Sequence, residues 1–391
     1  MIIGIIGKTN SGKSTFFKAC TLLDVEIANR PFVTIDLNHG VGFVKVECAE
    51  REFNVKCDAQ NGFCIEGNRF IPVELYDVAG LIPGAYKGYG LGLKFLNDLS
   101  SADALIHVVD ISGSTNEKGE VVEKLSYDPA NDIRFLEKEI NMWFYSLISK
   151  DIDILKGKIK SGKLDLKQAL FKKFSGLKIT EKHINEVLEE IDKAFINWNE
   201  DDVKKFSMLL RKKSKPIIIA ANKIDVNGSE KNLERLKKEF KDYIIIGCSS
   251  ESELALKEAA KNKLIYYVPG EKNFEVIGEV SKKQKKGLSF IESFLEKRNT
   301  GVQDVLNKAV FDLLNYIVVY PVENNKLADS KGNILPDAIL LPKGSTVLDL
   351  AYKVHSDLAK NFIKAINLKT KKIIGKDYIL KNNDVIEIIT K

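Results

Sequence analysis

The chain reads as an α/β protein: a parallel-rich sheet bearing a phosphate-binding loop, an inserted helical arm, and a smaller C-terminal α+β unit of β-grasp outline. Three observations predict this. The apolar run Ile2-Ile3-Gly4-Ile5-Ile6 leads into Gly7-Lys8-Thr9-Asn10-Ser11-Gly12-Lys13-Ser14, which is G-x-x-x-x-G-K-[ST] between a strand and a helix. Further apolar runs, at 73–76, 216–221 and 243–246, end in polar turns, where an open parallel sheet presents its ligand-binding residues. Residues 316–391 alternate short apolar runs with one helix-periodic stretch.

Taken in order, the first strand sets up an anion site. A loop that wraps a polyphosphate needs backbone N–H groups converging on its oxygens, and glycine allows that approach. Asn10, Ser11, Gly12, Lys13, Ser14 and Thr15 are the expected contacts, with Lys13 supplying charge to the β and γ phosphates and Ser14 a hydroxyl to Mg²⁺. The helix that follows points its positive end at the same anion. Val73–Gly80 ends in D-x-x-G, which assigns Asp77 to Mg²⁺ through a water and the Gly80 N–H to the γ-phosphate. Thr34 is the candidate to close over the metal.

Base choice is read further along. Asn222-Lys223-Ile224-Asp225 is N-K-x-D at a strand end. A carboxylate at Asp225 accepts from both N1–H and N2–H₂ of guanine, a donor pair that adenine lacks. Asn222 is expected to brace the loop and Lys223 to lay its methylenes on the base. The turn at Ser249 and Ser250 is expected to offer a backbone N–H to guanine O6. The expected cofactors are therefore GTP or GDP with Mg²⁺.

These motifs, in this order, resemble the Obg group of translation-associated GTPases, so the larger unit is expected to be a P-loop GTPase domain. The likeness rests on A-N-R-P-F-V-T-I-D-L-N at 28–38, D-V-A-G-L-I-P-G-A-Y-K-G-Y-G-L-G at 77–92 and L-I-H-V-V-D at 105–110. S-Y-D-P-A-N-D-I at 126–133 is similar to the YchF subfamily. Retention of N-K-I-D, which ATP-preferring YchF proteins lose, points to the archaeal and fungal sister branch. The resemblance implies a catalytic set of Lys13, Thr34, Gly80 and Asn10. It also implies slow hydrolysis, because Leu81 stands where a water-orienting glutamine acts in Ras-like enzymes. Asn10 matches an asparagine that helps bind K⁺ in relatives; the alternative is that it only caps the loop. Gly80, Gly84, Gly88, Gly90 and Gly92 imply a segment that rearranges with nucleotide state. An ATP-preferring ATPase and a GTP-dependent RNA-binding scaffold with negligible hydrolysis are the competing readings.

The G domain is expected over 1–125 and 214–300, a helical arm over 126–213, a connector over 301–315 and a TGS-like domain over 316–391. The arm is read as two antiparallel helices, Ile133–Ser149 and about Thr180 to Arg211, with Thr180 as an N-cap lacking a full capping box. Residues 150–215 carry 17 basic and 11 acidic side chains, an excess equal to the net charge of +6 of the whole chain. That excess, bunched at 211–215, and a separate basic cluster at 282–286 favour RNA or a ribosomal surface as partner. L-P-K-G-S-T-V-L-D-L-A-Y-K-V-H-S-D-L at 341–358 resembles the TGS domain and implies a binding module, with His355 and Asp357 in local hydrogen bonding only.

Five cysteines exclude a fully paired disulfide framework. Cys48, Cys57 and Cys64 offer three zinc ligands, but intervals of nine and seven residues fit no compact knuckle, so reduced cysteines on a hairpin are expected. No stretch is apolar enough to span a bilayer, and a strand at Ile2 leaves no room for a signal peptide. A soluble cytoplasmic protein follows as the expectation.

Overall fold

The computed structural model describes residues 1–22, 39–78, 98–323, 325–329 and 331–391. The expectations placed on Thr34, Gly80, Leu81 and the glycines at 84–92 therefore lie outside the described residues. The chain opens with β1 (Ile2–Ile6), whose isoleucines are covered on both faces, as a central strand of a parallel sheet requires. Helix α1 (Lys13–Thr21) follows the phosphate loop. Next come β2 (His39–Glu47), β3 (Phe63–Ile65), β4 (Asn68–Asp77), β5 (Ala104–Asp110), β6 (Ile217–Asn222) and β7 (Ile244–Cys248).

These seven strands form one sheet in the order β2-β4-β1-β5-β6-β7, with β3 added beside β4. β4, β1, β5, β6 and β7 run parallel, whereas β2 and β3 pair antiparallel with β4. The C-terminal ends of β1, β4, β6 and β7 thus deliver Gly7, Asp77, Asn222 and Ser249 to one edge.

The insert contains more helices than its periodicity revealed: Ala130–Ser149, Ile152–Lys160, Leu166–Phe174, Glu181–Glu189 and Glu200–Ser214. The expected single helix from Thr180 to Arg211 is two. Asn199 stops the continuation by forming a capping box with Asp202, its side chain taking the Asp202 N–H at 3.0 Å. Just before it, Trp198 Nε1 donates to Lys193 O at 3.0 Å and fixes the turn. Thr180 does carry a full capping box, because His183 Nδ1 accepts the Thr180 N–H that glutamate or glutamine normally takes. The apolar faces of these helices share one core with Ile6, Leu105 and Ile217 of the sheet.

Residues 301–315 are integral to the core. Helix Val302–Lys308 packs against β2, β6, β7 and α1, and Val302, Val305 and Leu306 are buried. Asn307 mimics a neighbouring strand for β2, accepting the Lys45 N–H at 2.8 Å and donating to Lys45 O at 3.1 Å.

The C-terminal sheet comprises β8 (Tyr316–Val322), β9 (Ile339–Pro342), β10 (Phe362–Asn367), β11 (Lys372–Ile374) and β12 (Asp384–Thr390), in the order β9-β8-β12-β10-β11. β8 and β12 are parallel, so a crossover is needed, and helix Val347–Val354 lies within it. The expected helix Thr346–Lys360 breaks at His355, whose Nδ1 accepts the Asp357 N–H at 3.2 Å and caps the short helix Ser356–Lys360. No helix among the described residues is long and apolar enough to cross a membrane.

Candidate nucleotide site

The edge is organised around Asn222. Its Nδ2 donates to Ser11 O at 3.0 Å, and its Oδ1 accepts from the Ser250 N–H at 3.0 Å and the Ser250 hydroxyl at 2.8 Å. One buried amide thereby ties the phosphate loop to the turn after β7. Gly12 passes so close, at φ 90°, that a Cβ there would lie 2.2 Å from Asn222 Nδ2. Only glycine fits.

Lys223, held at φ 64°, sends its ammonium across the site to Asn10 O at 3.1 Å, Asp110 Oδ2 at 2.8 Å and Ser114 Oγ at 3.3 Å. Asp110, at the end of β5, is fully buried and also accepts from the Ser112, Ser114 and Thr115 hydroxyls. Burial opposes its charge, but Lys223 and the hydroxyls outweigh burial and hold its carboxyl below the ordinary range. Deeper in the same strand, burial, aided by Lys8, pushes His107 down to about 3.

On the phosphate side, Lys13 forms an ion pair with Asp77, and the Ser14 hydroxyl lies 3.4 Å from Asp77 Oδ2. A hydroxyl and a carboxylate facing one another are the hard oxygen donors that Mg²⁺ takes, so this pair fits the metal. Thr15 sits in the first turn of α1. Asp225 is half-buried and makes no hydrogen bond or ion pair among the described residues.

Two expectations change. The Ser249 N–H donates to Thr300 O at 2.8 Å and the Ser250 N–H to Asn222, so neither faces a base. The next N–H, that of Glu251 in the first turn of helix Ser250–Lys261, has no acceptor among the described residues. The basic run at 211–215 is also spent internally. Arg211 is buried against Glu137 and Asn141, Lys213 pairs with Glu186 and Glu190, Lys212 pairs with Asp242, and Lys215 is buried on Ser100 O and Ala102 O. Lys282, Lys283, Lys285 and Lys286, by contrast, are exposed at the start of helix Lys282–Leu295.

Sequence reasoning missed the segment 112–127, which lies against the phosphate loop. Asn10 Nδ2 donates to Gly119 O at 2.8 Å, giving the capping alternative for Asn10 its partner. Lys8 donates to Thr115 O at 2.8 Å, pairs with Asp132 at 2.8 Å and lies 4.1 Å over the Tyr127 ring. Leu125 reaches Gly228 beyond N-K-x-D. The sequence signal was available in Gly113, Asn116 and Gly119, turn residues spaced through a short polar stretch.

Three family models match in chain order. The 50S ribosome-binding GTPase model covers residues 2–139, the Obg-like GTPase YGR210-like, G4 motif-containing domain covers 220–324, and the TGS domain covers 331–390. A GTP-binding protein of Methanocaldococcus jannaschii is 50% identical over 100% of this chain and 99% of its own length. A GTP-binding protein of Schizosaccharomyces pombe is 36% identical over 93% of this chain and 92% of its own. The crystal structure of a GTP-binding protein from Pyrococcus horikoshii covers 100% of both chains at 37% identity, with a TM-score of 0.80.

Proposed function

Because the chain belongs to the Obg-like, YchF-related GTP-binding proteins that carry a TGS domain, we propose that it is a slowly hydrolysing GTP switch acting on RNA or the ribosome. The observation that carries the guanine reading is Asn222, which locks N-K-x-D to the phosphate loop and leaves the Asp225 carboxylate for a ligand. Asp225 then accepts from guanine N1–H and N2–H₂, and the Glu251 N–H takes the role first given to the Ser249–Ser250 turn at O6. Lys13 has to leave Asp77 to reach a phosphate, so nucleotide binding exchanges that ion pair for phosphate contacts.

Ser14 and Asp77, with Thr34 as the third expected ligand, are the residues for Mg²⁺, which neutralises phosphate charge when bound. Lys13, Gly80 and Asn10 complete the proposed catalytic set, with K⁺ at Asn10 as the accelerating ion. For the partner, the name of the first matching family supports the ribosome. The exposed lysines at 282–286 lie one turn from Phe290, which is also exposed, and cation next to aromatic suits phosphate and base together.

The test is affinity and turnover for GTP, ATP and XTP in K⁺ and Na⁺ buffers. Wild type is expected to prefer GTP and to turn over faster in K⁺. Asp225→Asn is expected to lose GTP by about 100-fold and gain XTP, whose O2 replaces the guanine N2–H₂ donor. Equal ATP affinity in the wild-type chain would overturn the guanine assignment in favour of the ATP-using relatives. Turnover equal in the two salts would remove K⁺.

A further inference from the structure

Away from the nucleotide edge, Cys48, Cys57 and Cys64 converge with Glu50 so that three sulfurs and a carboxylate oxygen all lie within 4.8 Å of one another. The long intervals that hid this arrangement are spanned by a real excursion of the chain. Cys48 follows β2 and donates its N–H to Gly67 O at 2.8 Å, helix Glu50–Phe53 turns the chain, a loop carries Cys57, and Cys64 returns on β3. We infer that these four residues form a closed tetrahedral site for Zn²⁺ that fastens the G domain to the C-terminal domain.

The geometry needs little adjustment. A tetrahedron with Zn–S bonds of about 2.3 Å has sulfurs about 3.8 Å apart, so the donors have to close by roughly 1 Å at most. Thiolates select a soft or borderline ion over Mg²⁺ or Ca²⁺, and a site filled by four protein ligands is structural, with no open position for chemistry. Binding transfers the three thiol protons to solvent and changes no oxidation state.

The surroundings are built for that charge. Three thiolates and a carboxylate around Zn²⁺ leave a net charge of −2, and the buried Arg69 places Nη1 3.0 Å from Cys57 Sγ. The Cys57 N–H donates to Glu50 Oε2 at 2.7 Å, orienting one ligand by the backbone of another and leaving the second oxygen for the ion. The same loop grips the C-terminal domain. Asp58 N–H and Gln60 N–H donate to Ile334 O and Pro336 O, each at 2.8 Å, and Arg69 reaches Leu335 O and Pro336 O. A metal among 48, 57 and 64 would therefore stiffen the ledge on which residues 334–336 sit. This assignment does not rest on the nucleotide reading.

The experiment uses the full chain, produced with zinc in the medium and desalted without chelator. One zinc per chain by elemental analysis is expected, together with a thiolate-to-metal charge-transfer band and intense visible bands when Co²⁺ replaces it. Cys57→Ser and Cys64→Ser are expected to lose the metal, Glu50→Gln to weaken it about tenfold, and Cys20→Ser to keep it. A chain that is metal-free after growth in zinc and gives no charge-transfer band with Co²⁺ would overturn the site. The Co²⁺ spectrum is read on the wild-type protein, so a misfolded variant cannot decide the outcome.

Discussion

The two edges of the large sheet are held together by different chemistry. At the C-terminal ends of the parallel strands, the loops are joined by side chains bonding to carbonyls: Asn222 to Ser11, Lys223 to Asn10, Asn10 to Gly119 and Lys8 to Thr115. At the β2–β4 edge, the join to the C-terminal domain centres on an apolar core containing Val318, Tyr320 and Leu335, with the buried Arg69 and the backbone bonds of Asp58 and Gln60 at its rim. Polar joins of the first kind have a net worth of about 1 kcal/mol each and can be exchanged for ligand contacts. Apolar burial has no such substitute partner. Exchangeable polar joins stand where the proposed switch has to respond to a ligand, and apolar burial where a domain has to stay seated.

The comparison breaks most readily at Arg69. Arg69→Met strips donors from Leu335 O, Pro336 O and Asn61 O, and should cost about 3 kcal/mol, read as a lower denaturation midpoint and faster proteolysis between the two domains. A loss at the nucleotide site with stability intact would show that the two edges are not separable. Asn222→Ala should weaken GTP and GDP alike by about 10- to 100-fold, or roughly 1.4–2.7 kcal/mol, because it loosens the loop without touching the base. Discrimination between guanine and adenine should survive, as measured by competition binding.

His107 sharpens the contrast inside the sheet. Its folded-state pKa of about 3 lies below the ordinary value of 6.5, so the unfolded chain binds the extra proton between those limits. Stability from the neutral ring is complete above pH 6.5 and is lost as pH falls towards 3, at up to about 1.4 kcal/mol per pH unit. His107→Gln should flatten that part of a chemical-denaturation series by one proton. The smallest effect is expected from Asn10→Ala, about 1 kcal/mol, seen as faster amide exchange in residues 112–127 with the global midpoint hardly moved.

Much of this was legible because phosphate and base recognition depend on short contiguous words. Gly12, Lys13, Ser14, Asp77, Asn222 and Asp225 announce themselves by spacing, and the sheet brings them to one edge as the strand ends require. What stayed hidden depends on contacts between distant segments. Ser249 and Ser250 look like free turn donors until Thr300 and Asn222 claim their N–H groups. Arg211 and Lys215 count as surface charge in a tally, yet both are buried, since a net excess says nothing of which side chains face inward. Cys48, Cys57 and Cys64 fail every compact-spacing test because a helix and a loop supply the closure that a two-residue spacer supplies elsewhere.

Helix Val302–Lys308 has a consequence in time. It fills the space against β2, β6, β7 and α1, so the apolar floor of the nucleotide-binding half is completed by residues encoded well after its last strand. A ribosome adds roughly 5–20 residues per second, so the stretch between Cys248 and Val302 takes several seconds to make. For that part of every round of synthesis, β1 to β7 can therefore exist outside the ribosome with one wall missing. The newborn chain reaches its mature core only as its C-terminal third emerges.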